Sequence, residues 1–249
     1  MKNTLFFSLL VAMTCLYSCS KDAENCSVKY PVQMDNQLKK MESTWNASGQ
    51  LVKLYEFEKW DDSFLSEAGT AETTYEFERS PAEITFYYRA VQNGGQPYTG
   101  YYTYYLNSIG QCYLRTHSDN SDSLFFYYNT NGFLTSVESH YLGKIQETHA
   151  FTYENGNLTK AHVDQWDYEF EYDSFANTDV YPFQLELIGH WMSFLNCFGN
   201  TNANNVKIMR QKPHAVTTFS TFNVIRKMDS CDRISTFKNA FEAGFEFKY

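Results

Sequence analysis

From Trp166 to Asp173 the chain reads Trp-Asp-Tyr-Glu-Phe-Glu-Tyr-Asp, with ring and carboxylate in strict alternation. In an extended chain the rings fall on one face and the carboxylates on the other, whereas helical spacing would mix them around a cylinder. The pattern predicts a strand with one packed face and one solvated face. Shorter copies recur at Tyr55-Glu56-Phe57-Glu58, Tyr75-Glu76-Phe77-Glu78 and the C-terminal Phe245-Glu246-Phe247-Lys248-Tyr249.

A second pattern punctuates the first. A turn followed by Gly-x-apolar appears at Gly49-Gln50-Leu51, Gly132-Phe133-Leu134, Gly143-Lys144-Ile145 and Gly156-Asn157-Leu158, with weaker copies at Gly110-Gln111-Cys112 and Asp232-Arg233-Ile234. Glycine serves a tight turn that needs positive φ, and the apolar residue two places on opens the inward face of the returning strand. Tyr128-Asn129-Thr130-Asn131-Gly132 fits a type I turn with a glycine bulge, and Asn155-Gly156 fits a two-residue type I′ turn. The two-residue turn sets a register in which Glu154 opposes Asn157, Tyr153 opposes Leu158, Phe151 opposes Lys160 and His149 opposes His162. That would place two histidines side by side, a pair with no third metal ligand. The turn spacing predicts successive hairpins, a meander of sequence neighbours.

Some strands carry rings at every position. Ile84-Thr85-Phe86-Tyr87-Tyr88, Tyr101-Tyr102-Thr103-Tyr104-Tyr105 and Leu124-Phe125-Phe126-Tyr127-Tyr128 have aromatic residues on both faces. Either both sides of the sheet are covered there, or one side borders a concavity. Tyr87, Tyr102, Tyr104 and Phe126 are the candidate ligand-binding residues, because a tyrosine ring packs while its hydroxyl reaches water or a partner. One segment departs from strand spacing. From Pro182 to Phe198, Ile188, Trp191, Met192 and Leu195 recur at helical spacing and Gly199 is a natural stop, which predicts one helix closing a barrel end or covering a face. The Asn-rich stretch from Asn200 to Asn205 reads as a loop before the last strands.

The N-terminus adds a location. Met1-Lys2-Asn3 precedes an apolar run from Leu5 to Leu16, too short to span a bilayer of ~30 Å and laid out as a signal peptide. Leu16-Tyr17-Ser18-Cys19 is a lipoprotein processing pattern, in which the Cys19 thiol takes a diacylglycerol group and cleavage leaves Cys19 at the new N-terminus. The chain therefore divides into a signal peptide (1–18), a lipidated tether (19–30) and one β domain (31–249). Without residues 1–18, 19 basic side chains face 29 acidic ones, a formal charge of −10. Such a surface repels phosphate backbones and argues against nucleic-acid partners. Four cysteines follow Cys19, at 26, 112, 197 and 231, without CxxC spacing; three pairings and free buried thiols all stay open.

The hairpins Tyr128–Leu134 and Tyr153–Leu158 resemble the tyrosine–turn–glycine–leucine units of YD-type repeat proteins. With the lipobox, the Tyr172-Asp173 strand end and the restart at Asn204-Asn205-Val206, the chain resembles a Bacteroidetes lipoprotein family of unknown function with a porin-like fold. The interrupted acidic run after Cys19 is similar to the surface-export signal of such lipoproteins. The resemblance implies a long antiparallel sheet curled toward a barrel and no assigned catalytic residues.

Three functional readings follow. The acidic face Asp167, Glu169, Glu171 and Asp173 has the residue types for Ca²⁺ or for a glycosidase carboxylate pair. A regular i, i+2 ladder is nonetheless the patterning of a solvated sheet face with lysines opposite, and a catalytic pair needs unequal environments. His117-Ser118-Asp119-Asn120-Ser121-Asp122 reads as a hairpin tip, and no nucleophile elbow is present. The alternating C-terminus resembles the closing strand of an outer-membrane barrel. The expected fold is all-β: an antiparallel meander of hairpins curled into a barrel or partly closed barrel, with one helix in the C-terminal half. The expected role is a non-enzymatic binding or structural module, held to the outer membrane by lipid on Cys19, with no cofactor or metal. Glycans or small apolar molecules are the favoured ligands. The alternatives are a carboxylate-dependent hydrolase acting on glycans and a transmembrane β-barrel.

Overall fold

Alternation becomes strand throughout the computed structural model, which describes residues 33–35, 39–48, 50–62, 67–176, 195, 197–228, 234–238 and 245–248. Among these residues the chain forms β1 (Gln33–Asp35), β2 (Lys39–Trp45), β3 (Leu51–Asp62), β4 (Glu67–Arg79), β5 (Glu83–Gln92) and β6 (Tyr98–Leu106). Next come β7 (Cys112–His117), β8 (Asp122–Tyr128), β9 (Leu134–Tyr141), β10 (Lys144–Glu154), β11 (Asn157–Val163) and β12 (Trp166–Ala176). The last are β13 (Asn204–Pro213), β14 (Ser220–Asn223), β15 (Ile225–Met228), β16 (Ile234–Lys238) and β17 (Phe245–Lys248).

Every strand from β1 to β13 pairs antiparallel with the next. β15 pairs with β16, β16 with β17, and β17 returns to β1. β14 and β15 run end to end through Val224, with no ladder between them. The result is one meander sheet curled into a partly closed barrel. Helix is nearly absent among the described residues. The helix expected from Pro182 to Phe198 lies outside them except for Leu195, Cys197 and Phe198, all three buried.

One face of the sheet forms the core. Phe86, Tyr104, Phe126, Leu134, Val137, Phe151, Leu158, Phe170 and Met209 belong to a single buried cluster, with Tyr102, Tyr128, Tyr168 and Tyr172 packed against it. From Tyr168 on, the Trp166–Asp173 alternation behaves as expected, rings inward and acids outward, while Trp166 at the start of the strand is exposed. The copy at Tyr55–Glu58 is reversed. Leu54 fixes the inward parity of β3, so Glu56 is buried and accepts a hydrogen bond from Tyr75 Oη at 3.1 Å.

The repeated turns share a device absent from their Gly-x-apolar signature. The Oδ1 of Asn46 accepts from Ser48 N and Gln50 N, that of Asn107 from Ile109 N and Gln111 N, and that of Asn129 from Asn131 N and Phe133 N, at 2.9–3.1 Å. Alternating connections of a meander lie at opposite ends, which puts these three turns and Asn155-Gly156 at one end. There the apolar residue after each turn (Leu51, Cys112, Leu134, Leu158) is buried. Gly143 belongs to the opposite end, and Ile145 after it is 57% exposed.

The segment before β13 runs across the first end like a belt. Cys112 N donates to Cys197 O at 2.6 Å, Asn200 N to Gly132 O at 2.8 Å and Ala203 N to Gly156 O at 2.9 Å, so every third residue meets the next hairpin. Asn202 Oδ1 accepts from Leu158 N at 2.8 Å. The asparagines read as a loop thus supply backbone partners to strand ends. Cys112 and Cys197 are free, buried thiols; Cys26 and Cys231 lie outside the described residues.

The Asn155-Gly156 turn has both residues at positive φ (51° and 79°), as type I′ requires, and Glu154 and Tyr153 oppose Asn157 and Leu158. Beyond that the expected register fails. Thr159 is an extra residue, so Lys160 pairs with Thr152, Ala161 with Phe151 and His162 with Ala150. A one-residue shift sends side chains to the other face. His149 is buried inside and His162 is exposed outside.

Candidate functional site

The four expected ligand-binding residues are not brought together. Tyr104 and Phe126 are core residues, each in ring contact with Phe198 of the belt. Tyr102 is half-buried beside them, its ring under the Arg115 guanidinium at 4.7 Å. Burial pushes its phenol pKa up, and Arg115 opposes the shift. Tyr87 alone faces solvent, on the other side of the sheet.

The outer face around Tyr87 carries the aromatic surface. Tyr87 and Tyr101 are direct cross-strand partners with ring centroids 5.9 Å apart. Tyr105 follows on β6 with Tyr113 of β7 at 6.5 Å, and Tyr127 lies on β8. Tyr87, Tyr101, Tyr113 and Tyr127 each leave 42–46% of their surface exposed. Carboxylates flank the rings: Tyr87 Oη donates to Glu78 Oε2 at 3.2 Å and Tyr127 Oη to Glu138 Oε2 at 3.1 Å. The bond to Glu78 raises the Tyr87 pKa, while for Tyr127 partial burial leads and the bond to Glu138 adds to it. Tethered hydroxyls hold the rings in place, with aromatic faces open and carboxylate oxygens beside them. Tyr101, Tyr113 and Tyr127 were missed as site residues. The available signal was the aliphatic residue in each doubly aromatic strand: Ile84, Leu106 and Leu124 share inward parity with Phe86, Tyr104 and Phe126, which turns Tyr87, Tyr101 and Tyr127 outward.

A groove of about 310 Å³ opens on the outer face of β10–β13, lined in part by Lys160, His162, Asp167, Glu169, Lys212 and Phe219. The acidic ladder of β12 forms its floor and meets bases across the strands: Asp167 Oδ2 lies 3.6 Å from Lys212 Nζ, and Glu171 pairs with Arg210. That is the neutralised outer face expected of surface patterning. One end differs. Asp167 Oδ1 receives His162 Nδ1 at 3.0 Å and His214 Nε2 at 3.3 Å, with the imidazoles stacked at 4.1 Å and 12°. The bond to His162 is the main cause holding the Asp167 carboxyl below its usual range. Across the β11–β12 turn, Glu147, His149 and Asp164 form a second cluster of metal-ligand type. The His117–Asp122 segment is a hairpin tip, its Asp119 Oδ1 accepting from Ser121 N at 2.9 Å and pairing with His117 Nδ1 at 2.8 Å.

No family model matches the chain, and no curated protein matches it. Among solved structures it is similar to a porin-like protein from Bacteroides vulgatus ATCC 8482, with a TM-score of 0.32 and 8% identity, over 88% of this chain and 83% of that one.

Proposed function

We propose that this protein is a lipid-tethered, non-enzymatic module of the outer membrane that binds glycans on the outer face of β5–β8. The observation that carries the reading is the set of exposed tyrosines on the four adjacent strands β5–β8, Tyr87, Tyr101, Tyr113 and Tyr127, flanked by Glu78 of β4 and Glu138 of β9. Sugars offer CH faces that stack on phenol rings and hydroxyls that donate to carboxylates, and tethered rings lose little entropy on binding. Aromatic surface of this kind exposed without such a role is an aggregation liability. The sense of the sheet favours a tether over membrane insertion: outward positions on β12 are carboxylates and inward positions are rings, whereas a transmembrane barrel turns its apolar band to the lipid.

The test is affinity electrophoresis of the full chain through gels containing a panel of polysaccharides. At least one glycan should retard the protein. Tyr87→Ala combined with Tyr101→Ala should weaken that retardation about tenfold, at roughly 0.5–1.5 kcal/mol per lost ring contact. Mobility unchanged by every glycan, or retardation indifferent to the double variant, would rule this reading out.

A further inference from the structure

We propose that His162, Asp167 and His214 form a binding site for one divalent transition-metal ion of the zinc class, on the outer face of β11–β13. The three donor atoms lie within 4.8 Å of one another. At metal–ligand bonds of about 2.0–2.1 Å, two ligand atoms stand roughly 3.3 Å apart in a tetrahedral shell and about 2.9 Å apart in an octahedral one. The separations here are 3.0 Å for His162 Nδ1 and 3.3 Å for His214 Nε2, each to Asp167 Oδ1. An ion entering between them requires the two imidazoles, stacked 4.1 Å apart at 12°, to rotate out of parallel so that both in-plane lone pairs meet it.

The backbone fixes each donor independently. His162 and Asp167 are direct partners across the β11–β12 ladder. Asp167 is paired in turn with Lys212 across β12–β13, two residues before His214. His214 N donates to Gln165 O at 2.9 Å, which pins the third donor to the β11–β12 turn. A site held by main-chain bonds carries less ordering cost than one assembled from loose side chains.

The donor set selects the metal. Two imidazoles and one carboxylate suit zinc and its first-row neighbours, whereas Ca²⁺ takes six to eight oxygens. Three protein ligands leave a coordination position for water, on the side where the groove opens. Lys212 Nζ sits at the other carboxylate oxygen, 3.6 Å from Oδ2, and orients Asp167 from the second sphere. The Glu147–His149–Asp164 cluster is a poorer site, since a hydrogen bond between its two carboxyls raises the Glu147 pKa and favours a shared proton over two charged ligands.

The full chain, free of any affinity tag and stripped with EDTA, is titrated with Zn²⁺ alone by calorimetry. One equivalent should bind, and His162→Ala and His214→Ala should each weaken it at least tenfold while His149→Gln leaves it unchanged. Cu²⁺ in place of Zn²⁺ should give the wild-type protein an EPR spectrum with coupling to two imidazole nitrogens, a readout independent of how any variant folds. Absence of binding by wild type, equal binding by both alanine variants, loss of binding in His149→Gln, or a Cu²⁺ spectrum without nitrogen coupling would overturn the site.

Discussion

His149 is a single imidazole whose environment sets a pH dependence. Burial pushes its pKa below the ordinary histidine value, partly opposed by the carboxylate of Asp164, 3.5 Å from Nδ1. A base with a depressed folded pKa stays neutral in the native state while the unfolded chain takes up its proton. Stability is therefore full above the unfolded value of about 6.5 and falls as the pH drops from there through the folded pKa. Urea midpoints measured at pH 8 and pH 5.5 should fall for wild type and fall less for His149→Gln, whose amide does not titrate. Equal losses in the two proteins would mean that other groups set the slope. The same residue shows how far a local reading reaches: His149 was legible as part of a hairpin, and its neighbours across the ladder were not.

Thr159 is the reason, and it acts at the scale of the element. The sequence around Asn155-Gly156 identifies the turn and its first two residue pairs, but one extra residue in β11 turns His162 outward, while His149 on β10 keeps the inward parity of Phe151. Nothing in the residue types marks that bulge, since threonine suits either arrangement. Asparagine in the repeated turns is different, because its role follows from its chemistry. Asn129 Oδ1 serves two backbone N–H groups, at 3.0 Å each. Asn129→Ala should cost about 1–2 kcal/mol, as loss of a comparable helix cap does. Thermal melts should show the loss for alanine and most of the wild-type midpoint for Asn129→Asp, which keeps the acceptor; identical melts for all three would assign the turn's stability to Gly132 alone.

For the molecule as a whole, the proposed lipid tether puts attachment to the membrane at the N-terminus. Cys19→Ala should move the protein from the membrane fraction to the soluble fraction, followed by detergent partitioning. Retention of the variant in the membrane would sink the lipid tether and favour a sheet embedded in the bilayer. The belt from Leu195 to Asn204 belongs to this scale too. It joins three hairpins through Cys197, Asn200 and Ala203, its Leu195 and Cys197 are buried in the core, and its Phe198 packs against Tyr104 of β6 and Phe126 of β8. Its asparagines carry no sign in the sequence of which strand ends they serve.

Alternation of rings and acids, and glycine with asparagine at the turns, determine by themselves that this chain is an antiparallel meander. Both act within a few residues: side-chain period decides strand against helix, and turn chemistry decides where the chain reverses. Tertiary structure alone decided which residues meet. The fold brought Tyr104 and Phe126 against Phe198 of the belt, and Glu56 against Tyr75 of the neighbouring strand. His162 and His214 lie far apart along the chain and join at Asp167 because three adjacent strands fix their registers. A register is set by every pair in a ladder, bulges included, so one residue such as Thr159 changes the partners of those beyond it.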